Sequence, residues 1–129
     1  MLAQVQRYTT TSAAGVGLAA LREAVADRRS GLRANDFEGC DLPTWIGRVA
    51  GLEDVALPAP LRHLDSRNNR LAWLALQQDG MLDAVRAAVS RLGAHRLGIV
   101  MGTSTSSIGF TEVGYRHLDE RDRMPPEFQ

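Results

Sequence analysis

Lysine is absent from this sequence; all 15 of its basic residues are arginine. A Schiff-base amine and a phosphate-loop lysine are therefore both excluded within these residues. Cysteine is nearly absent: Cys40 stands alone, which excludes an internal disulfide and any multi-cysteine zinc site. No stretch approaches the roughly 18 consecutive apolar residues of a membrane-spanning helix. The opening residues, Met1 to Arg7, lack the charged region and apolar core of a secretory signal, so a cytoplasmic location is expected. Charge of one sign is missing as well. The 15 arginines face 15 acidic residues, for a formal net charge of zero and a pI of about 6.8. That balance does not predict a nucleic-acid partner. What remains is the composition of an ordinary globular chain, 44% hydrophobic and 23% charged, with 129 residues to build one modest core.

The pattern along the chain predicts a mixed α/β fold. Val5 to Tyr8 reads as a short strand, followed by a turn at Thr11 to Gly15. From Val16 to about Arg28, Leu18, Leu21 and Val25 recur at helical spacing, and Gly31 fits the stop. Leu32 to Pro60 lacks a sustained period and reads as an irregular excursion holding one short strand, Trp45 to Val49. Asp65 and Ser66 are both N-cap candidates for a helix whose wide apolar stripe, Leu71 to Leu76, predicts burial on most sides. After Gly80, the positions Leu82, Val85, Val89 and Leu92 mark a second amphipathic helix, closed by Gly93. Leu97 to Met101 is a continuous apolar run, the pattern of a strand buried on both faces of a parallel sheet. A polar loop, Gly102 to Ser107, follows it, and then a helix from about Gly109 to Glu120.

Several segments invite chemistry. Gly15-Val16-Gly17-Leu18-Ala19-Ala20 fits the G-x-G-x-x-A fingerprint of dinucleotide binding. The gap after Tyr8 is long for that turn, however, and no apolar strand ending in an acid follows. Small residues that let a helix pack closely are the alternative. The loop Gly102 to Ser107 sits at the carboxyl end of a candidate strand, where open α/β sheets place ligands, and its hydroxyls and N–H groups suit a phosphate or polar group. A purely structural loop is the other reading of it. Cys40 lies between Gly39 and Asp41, without the basic neighbour that a reactive thiolate needs. His63, His95 and His117 have no metal-ligand spacing, so no metal site is predicted. His117 suits acid–base work or simple packing. Asp119 to Arg123 reads as a solvated helix end, and the pairs Arg28-Arg29 and Arg67-Arg70 as caps and surface. No nucleophile–base pair is legible, and no catalytic residue is assigned.

Taken in order, three segments resemble the opening of the β-ketoacyl-acyl-carrier-protein synthases, condensing enzymes of the thiolase fold. Leu21-Arg22-Glu23 through Arg29-Ser30-Gly31-Leu32 is similar to the family's "LREGRSGL" helix end. Asp65-Ser66-Arg67-Asn68-Asn69-Arg70-Leu71-Ala72 resembles the start of its next helix. Arg96 through Ser107 resembles its "RVGVVVGTSTGG" strand and loop, with Ser106 and Ser107 where glycines are usual. The resemblance implies an incomplete, N-terminal part of a thiolase-like layered α/β/α fold over residues 1–129. It implies an intact enzyme that condenses acyl and malonyl thioesters with loss of CO₂, in fatty-acid or polyketide synthesis, with acyl-carrier protein as partner. It also implies that Thr105, with Gly102, Thr103 and Ser104, lies at the acyl pocket, and that no cofactor or metal is bound here. The family's nucleophilic cysteine follows the matched strand, whereas Cys40 precedes it. The chain alone is therefore expected to be inactive. The other expectations are a non-catalytic subunit of this fold, completed by self-association or a partner chain, and a nucleotide-binding domain using Gly15 and Gly17.

Overall fold

The structure is a computed structural model that describes residues 3–103 and 108–126. It mixes helix and small antiparallel sheets, 45% helical and 8% strand. The first element is a hairpin, not a strand at Val5 to Tyr8. Thr11–Ser12 (β1) pairs antiparallel with Gly15–Val16 (β2), and the Ser12 hydroxyl accepts the Ala14 N–H across the turn at 3.2 Å. Val5 has no neighbouring strand and stands exposed, so its β-branched bias finds nothing to pair with.

Gly17–Ala26 forms α1. Its stop is not Gly31. Arg28 takes the left-handed conformation (φ 51°), donating to Val25 O at 3.2 Å, while Arg29 N–H reaches Ala24 O at 2.8 Å. This is the paired closure of a Schellman motif, here with arginine at the position glycine usually fills. Gly31 serves another purpose. A Cβ there would lie 2.4 Å from the Ala13 carbonyl carbon, so glycine lets the β1–β2 turn rest on the chain leaving α1.

The stretch read as irregular holds a second ladder. Leu32–Ala34 (β3) pairs antiparallel with Trp45–Gly47 (β4), shorter than the strand to Val49 that the sequence suggests. Asn35 organises the intervening loop. Its amide donates to the carbonyls of Cys40 (2.8 Å) and Leu42 (2.9 Å), and its oxygen accepts Phe37 N–H. Two short 3-10 segments, Leu52–Asp54 and Ala59–Leu64, lead to α2, Arg67–Leu76. Ser66 is its N-cap, accepting Asn69 N–H. No residue of α2 is fully buried, contrary to the expectation from its wide stripe, because only the Leu52–Asp54 turn and β1 pack closely on it.

Met81–Leu92 forms α3, and Gly93 caps it. The stripe Val85, Val89, Leu92 is exposed, since little lies against it beyond the 3-10 turn Ala94–Arg96. The largest correction concerns Leu97 to Met101. No strand forms there, and Ile99, Val100 and Met101 are 87%, 98% and 78% exposed. The residues can fill a sheet interior, but among the described residues no sheet stands beside them; both ladders are two-stranded and antiparallel. Ile108–Arg116 forms α4, ending short of Glu120. Asp119 interrupts the continuation by accepting the N–H groups of Arg121 and Arg123 and the Arg123 side chain. Among the described residues, buried hydrophobic side chains are few: Ala24, Leu52 and Leu57.

One group of long-range hydrogen bonds ties the start of the chain to the corner between α2 and α3. Asp79, between α2 and α3, accepts the Thr9 hydroxyl at 2.7 Å and the Leu18 N–H on both carboxylate oxygens at 3.0 and 3.2 Å. Asp79→Ala should cost about 1–2 kcal/mol of stability in urea unfolding, as for loss of a helix cap. Asp79→Asn keeps an acceptor and tolerates the left-handed backbone at φ 53°, so it should retain most of that. A second measurable consequence lies at Thr11, whose Oγ1 is buried without a hydrogen-bond partner. Thr11→Val keeps the shape, removes the orphan hydroxyl, and should raise stability by about 1 kcal/mol.

Candidate functional site

The G-x-G-x-x-A segment folds as a hairpin entering a helix, not as a turn leaving a parallel strand. Gly15 lies so close to α1 that a Cβ would sit 2.4 Å from Ala20 Cβ. Gly17 opens the helix at φ 86°. The N–H groups that would hold a phosphate already have partners: Gly17 donates to Thr10 O at 2.9 Å and Leu18 to the Asp79 carboxylate. An internal anion thus occupies the positive end of α1. The small residues serve close packing, the alternative weighed for them from sequence. Asp79 is the residue the sequence reading passes over. Its only local signal is the Asp79-Gly80 pair between two helices, both at positive φ.

Of the loop residues singled out by the family resemblance, Gly102 and Thr103 are exposed at the end of the uncovered apolar run. Ser104 and Thr105 lie outside the described residues, as do Ser106 and Ser107. The face of α4 carrying Ile108, Gly109, Glu112 and Val113 walls a cleft of ≈ 720 Å³. Val49, Leu52 and Leu71 line its apolar side; Asp65, Ser66 and Arg67 line its polar end. Phe37 closes one side and lies near two guanidinium groups, Arg48 at 5.9 Å and Arg67 at 6.0 Å from its ring centre.

The charges at the polar end are committed to structure. Arg70 grips Asp65 through two nitrogens at 2.6 Å each and reaches Glu53 O at 3.0 Å, while Arg67 pairs with Glu53 at 2.7 Å. The Arg70 hydrogen bonds hold the Asp65 carboxyl below its ordinary range, and Asp65 raises the Arg70 guanidinium in return. Asp36 is held low in the same way, first by Arg48 at 2.6 Å and then by Arg33. The Ser66 hydroxyl is engaged as a helix cap. Among the described residues, none that lines the cleft is a histidine or cysteine. The cleft therefore offers apolar shape with a polar rim, not an assembled acid–base or nucleophilic centre.

The remaining candidates are dispersed. Cys40 is exposed in the Asn35–Thr44 loop. His63 and His95 are exposed on separate 3-10 turns, and His117 donates from Nδ1 to Val113 O at 2.8 Å. Among the described residues, no three His, Cys, Asp or Glu side chains converge as a metal site would require. No helix among them is long and apolar enough to cross a membrane.

The ion pairs give a pH prediction. Asp65 is depressed in the folded state, so its contribution is complete above the ordinary value of 3.8 and disappears as pH falls through the lower folded value. The unfolding midpoint should drop on acidification through that window. Asp65→Asn should flatten that part of the profile, and added salt should shrink it because the pair is exposed. An unchanged profile in Asp65→Asn would remove this role.

Comparison with known proteins returns no matching family model, no matching curated protein and no matching solved structure.

Proposed function

We propose that the chain is the N-terminal part of a β-ketoacyl-acyl-carrier-protein synthase, inactive without the segments that carry the nucleophile. The observation that carries the reading is the uncovered run Leu97 to Met101. Ile99, Val100 and Met101 of this run stand in solvent, in the very segment that resembles the family's strand and loop. An apolar patch of this kind calls for a covering surface. A layered α/β/α sheet completed from further chain would bury it on both faces.

In such an enzyme a cysteine outside these residues takes the acyl chain as a thioester. Malonyl-carrier protein loses CO₂, and the resulting enolate attacks that thioester and displaces the sulfur. The share of this chain is to shape the acyl site. By the family resemblance, Gly102, Thr103, Ser104 and Thr105 would line or abut it.

A second reading is favoured by α3. Its stripe Val85, Val89, Leu92 is also exposed, which suits a non-catalytic subunit that completes its layers with a partner chain. The two readings part at the level of activity and of gene structure. Incubated with acyl- and malonyl-loaded carrier protein, the 129-residue chain should release no CO₂ above background. Coding sequence continued past Gln129 into a cysteine segment and two later histidines should restore release. A downstream frame lacking those residues, or robust turnover by the chain itself, overturns the first reading.

A further inference from the structure

Asp79 is followed by glycine, whereas every other aspartate in the chain is followed by a residue that carries a Cβ. The difference is chemical. The peptide nitrogen after an aspartate can attack that aspartate's own side chain, and a Cβ beside the nitrogen obstructs the approach. At Gly80 the nitrogen is accessible. The residue is exposed, a Cβ built there would meet nothing within 4 Å, and its N–H donates to no group among the described residues. It lies in the corner between α2 and α3, outside any regular element.

The group it would attack is in the opposite condition. Asp79 is half-buried, and both of its oxygens are engaged. Oδ2 accepts the Thr9 hydroxyl at 2.7 Å and the Leu18 N–H at 3.0 Å, and Oδ1 accepts the same N–H at 3.2 Å. Attack by Gly80 would turn one of these oxygens into departing water and forfeit its hydrogen bonds. The contacts that anchor the start of α1 therefore also guard a reactive pair.

We propose that Asp79-Gly80 is a site of spontaneous isoaspartate formation, guarded in the folded chain by Thr9 and Leu18 and released when that tie opens. In the open state the Gly80 nitrogen adds to Cγ of the protonated Asp79 side chain. The N–Cγ bond forms, the Cγ–OH bond breaks, and the hydroxyl leaves with the nitrogen's proton as water. The product is a cyclic imide. A water then adds back. Scission between the nitrogen and Cγ restores aspartate, and scission between the nitrogen and the Asp79 main-chain carbonyl carbon gives isoaspartate. No oxidant or reductant is consumed, and the product has the mass of the parent. Its backbone runs through Cγ, and its free carboxylate sits directly on Cα. That carboxylate no longer reaches from the corner as the side chain did, so the bonds to Thr9 and Leu18 are lost and the start of α1 is left open. The site needs neither reading of the chain's function, and it stands or falls apart from both.

Ageing the chain at neutral pH, folded and in urea, tests this, with isoaspartate located by peptide mapping and electron-transfer fragmentation. In urea the wild type, Thr9→Val and Thr9→Ser should convert at one rate, because no tie exists there. Folded wild type should convert about 10-fold more slowly or less, since a reaction that needs opening follows the population of the open state. Folded Thr9→Val loses the hydroxyl donor and should convert about 10-fold faster than folded wild type, the scale of one lost hydrogen bond to a charged group. Thr9→Ser keeps the donor and should stay near the wild-type rate. Gly80→Asn has room for its side chain and tolerates the left-handed backbone at φ 69°, and it should slow conversion in urea by obstructing the nitrogen. The purified isoaspartyl form should unfold at lower urea than its parent, as Asp79→Ala does. Three results each overturn the proposal: conversion at Asp79 in urea no faster than at Asp65-Ser66, folded Thr9→Val no faster than folded Thr9→Ser, or an isoaspartyl form as stable as its parent.

Discussion

The Asp79 carboxylate is the point on which the rest of the structure depends. It joins Thr9, ahead of the first hairpin, to the N-terminus of α1 and to the corner between α2 and α3. An α-helix begins with N–H groups that have no partner of their own, and a carboxylate satisfies them while opposing the helix dipole. With a buried core of only a few side chains, such a polar tie carries more of the tertiary organisation than it would in a larger domain. At the glycine-rich entry to α1, the Gly17 and Leu18 N–H groups are taken by the Thr10 carbonyl and the Asp79 carboxylate.

Around this tie the molecule is well satisfied locally and poorly covered globally. Several caps and turns are satisfied by nearby groups: Ser66 on α2, the Arg28 closure of α1, Asn35 within its loop, Asp119 beyond α4. Salt bridges are exposed and contribute little each. Apolar surface behaves differently. The stripe of α3, the face of Trp45 and the run to Met101 all remain in solvent. A sequence with 44% hydrophobic residues has material for more core than these elements close around.

Helices were the most legible part of the sequence because their signals are local. Ser66 before Arg67, Gly80 before Met81 and Gly93 after Leu92 bracket α2 and α3 within a residue or so. The β3–β4 ladder was legible only by half, since Leu32-Arg33-Ala34 offers no alternation and its pairing to Trp45 depends on Asn35 folding the loop between them. Leu97 to Met101 shows the limit of an apolar run as a signal. It states that the residues want cover, but a strand needs a neighbour, and the neighbour is not written in the run itself. Among candidate site residues, Cys40 was read from its neighbours as lacking a basic partner and it is exposed, whereas the pairing of Arg48 with Asp36 and of Arg67 with Glu53 joins residues 12 and 14 positions apart and carries no local signal. Asp79 was invisible because its partners stand 61 and 70 residues away.

That separation has a consequence in time. A chain made from its N-terminus exposes the hairpin and α1 long before residue 79 exists, and through that interval the start of α1 has no carboxylate to close it. The N-terminal unit cannot reach its final state by itself, whatever its own propensities. Its last hydrogen bonds wait on the corner between α2 and α3, so the link between these two regions closes only after that corner has been made.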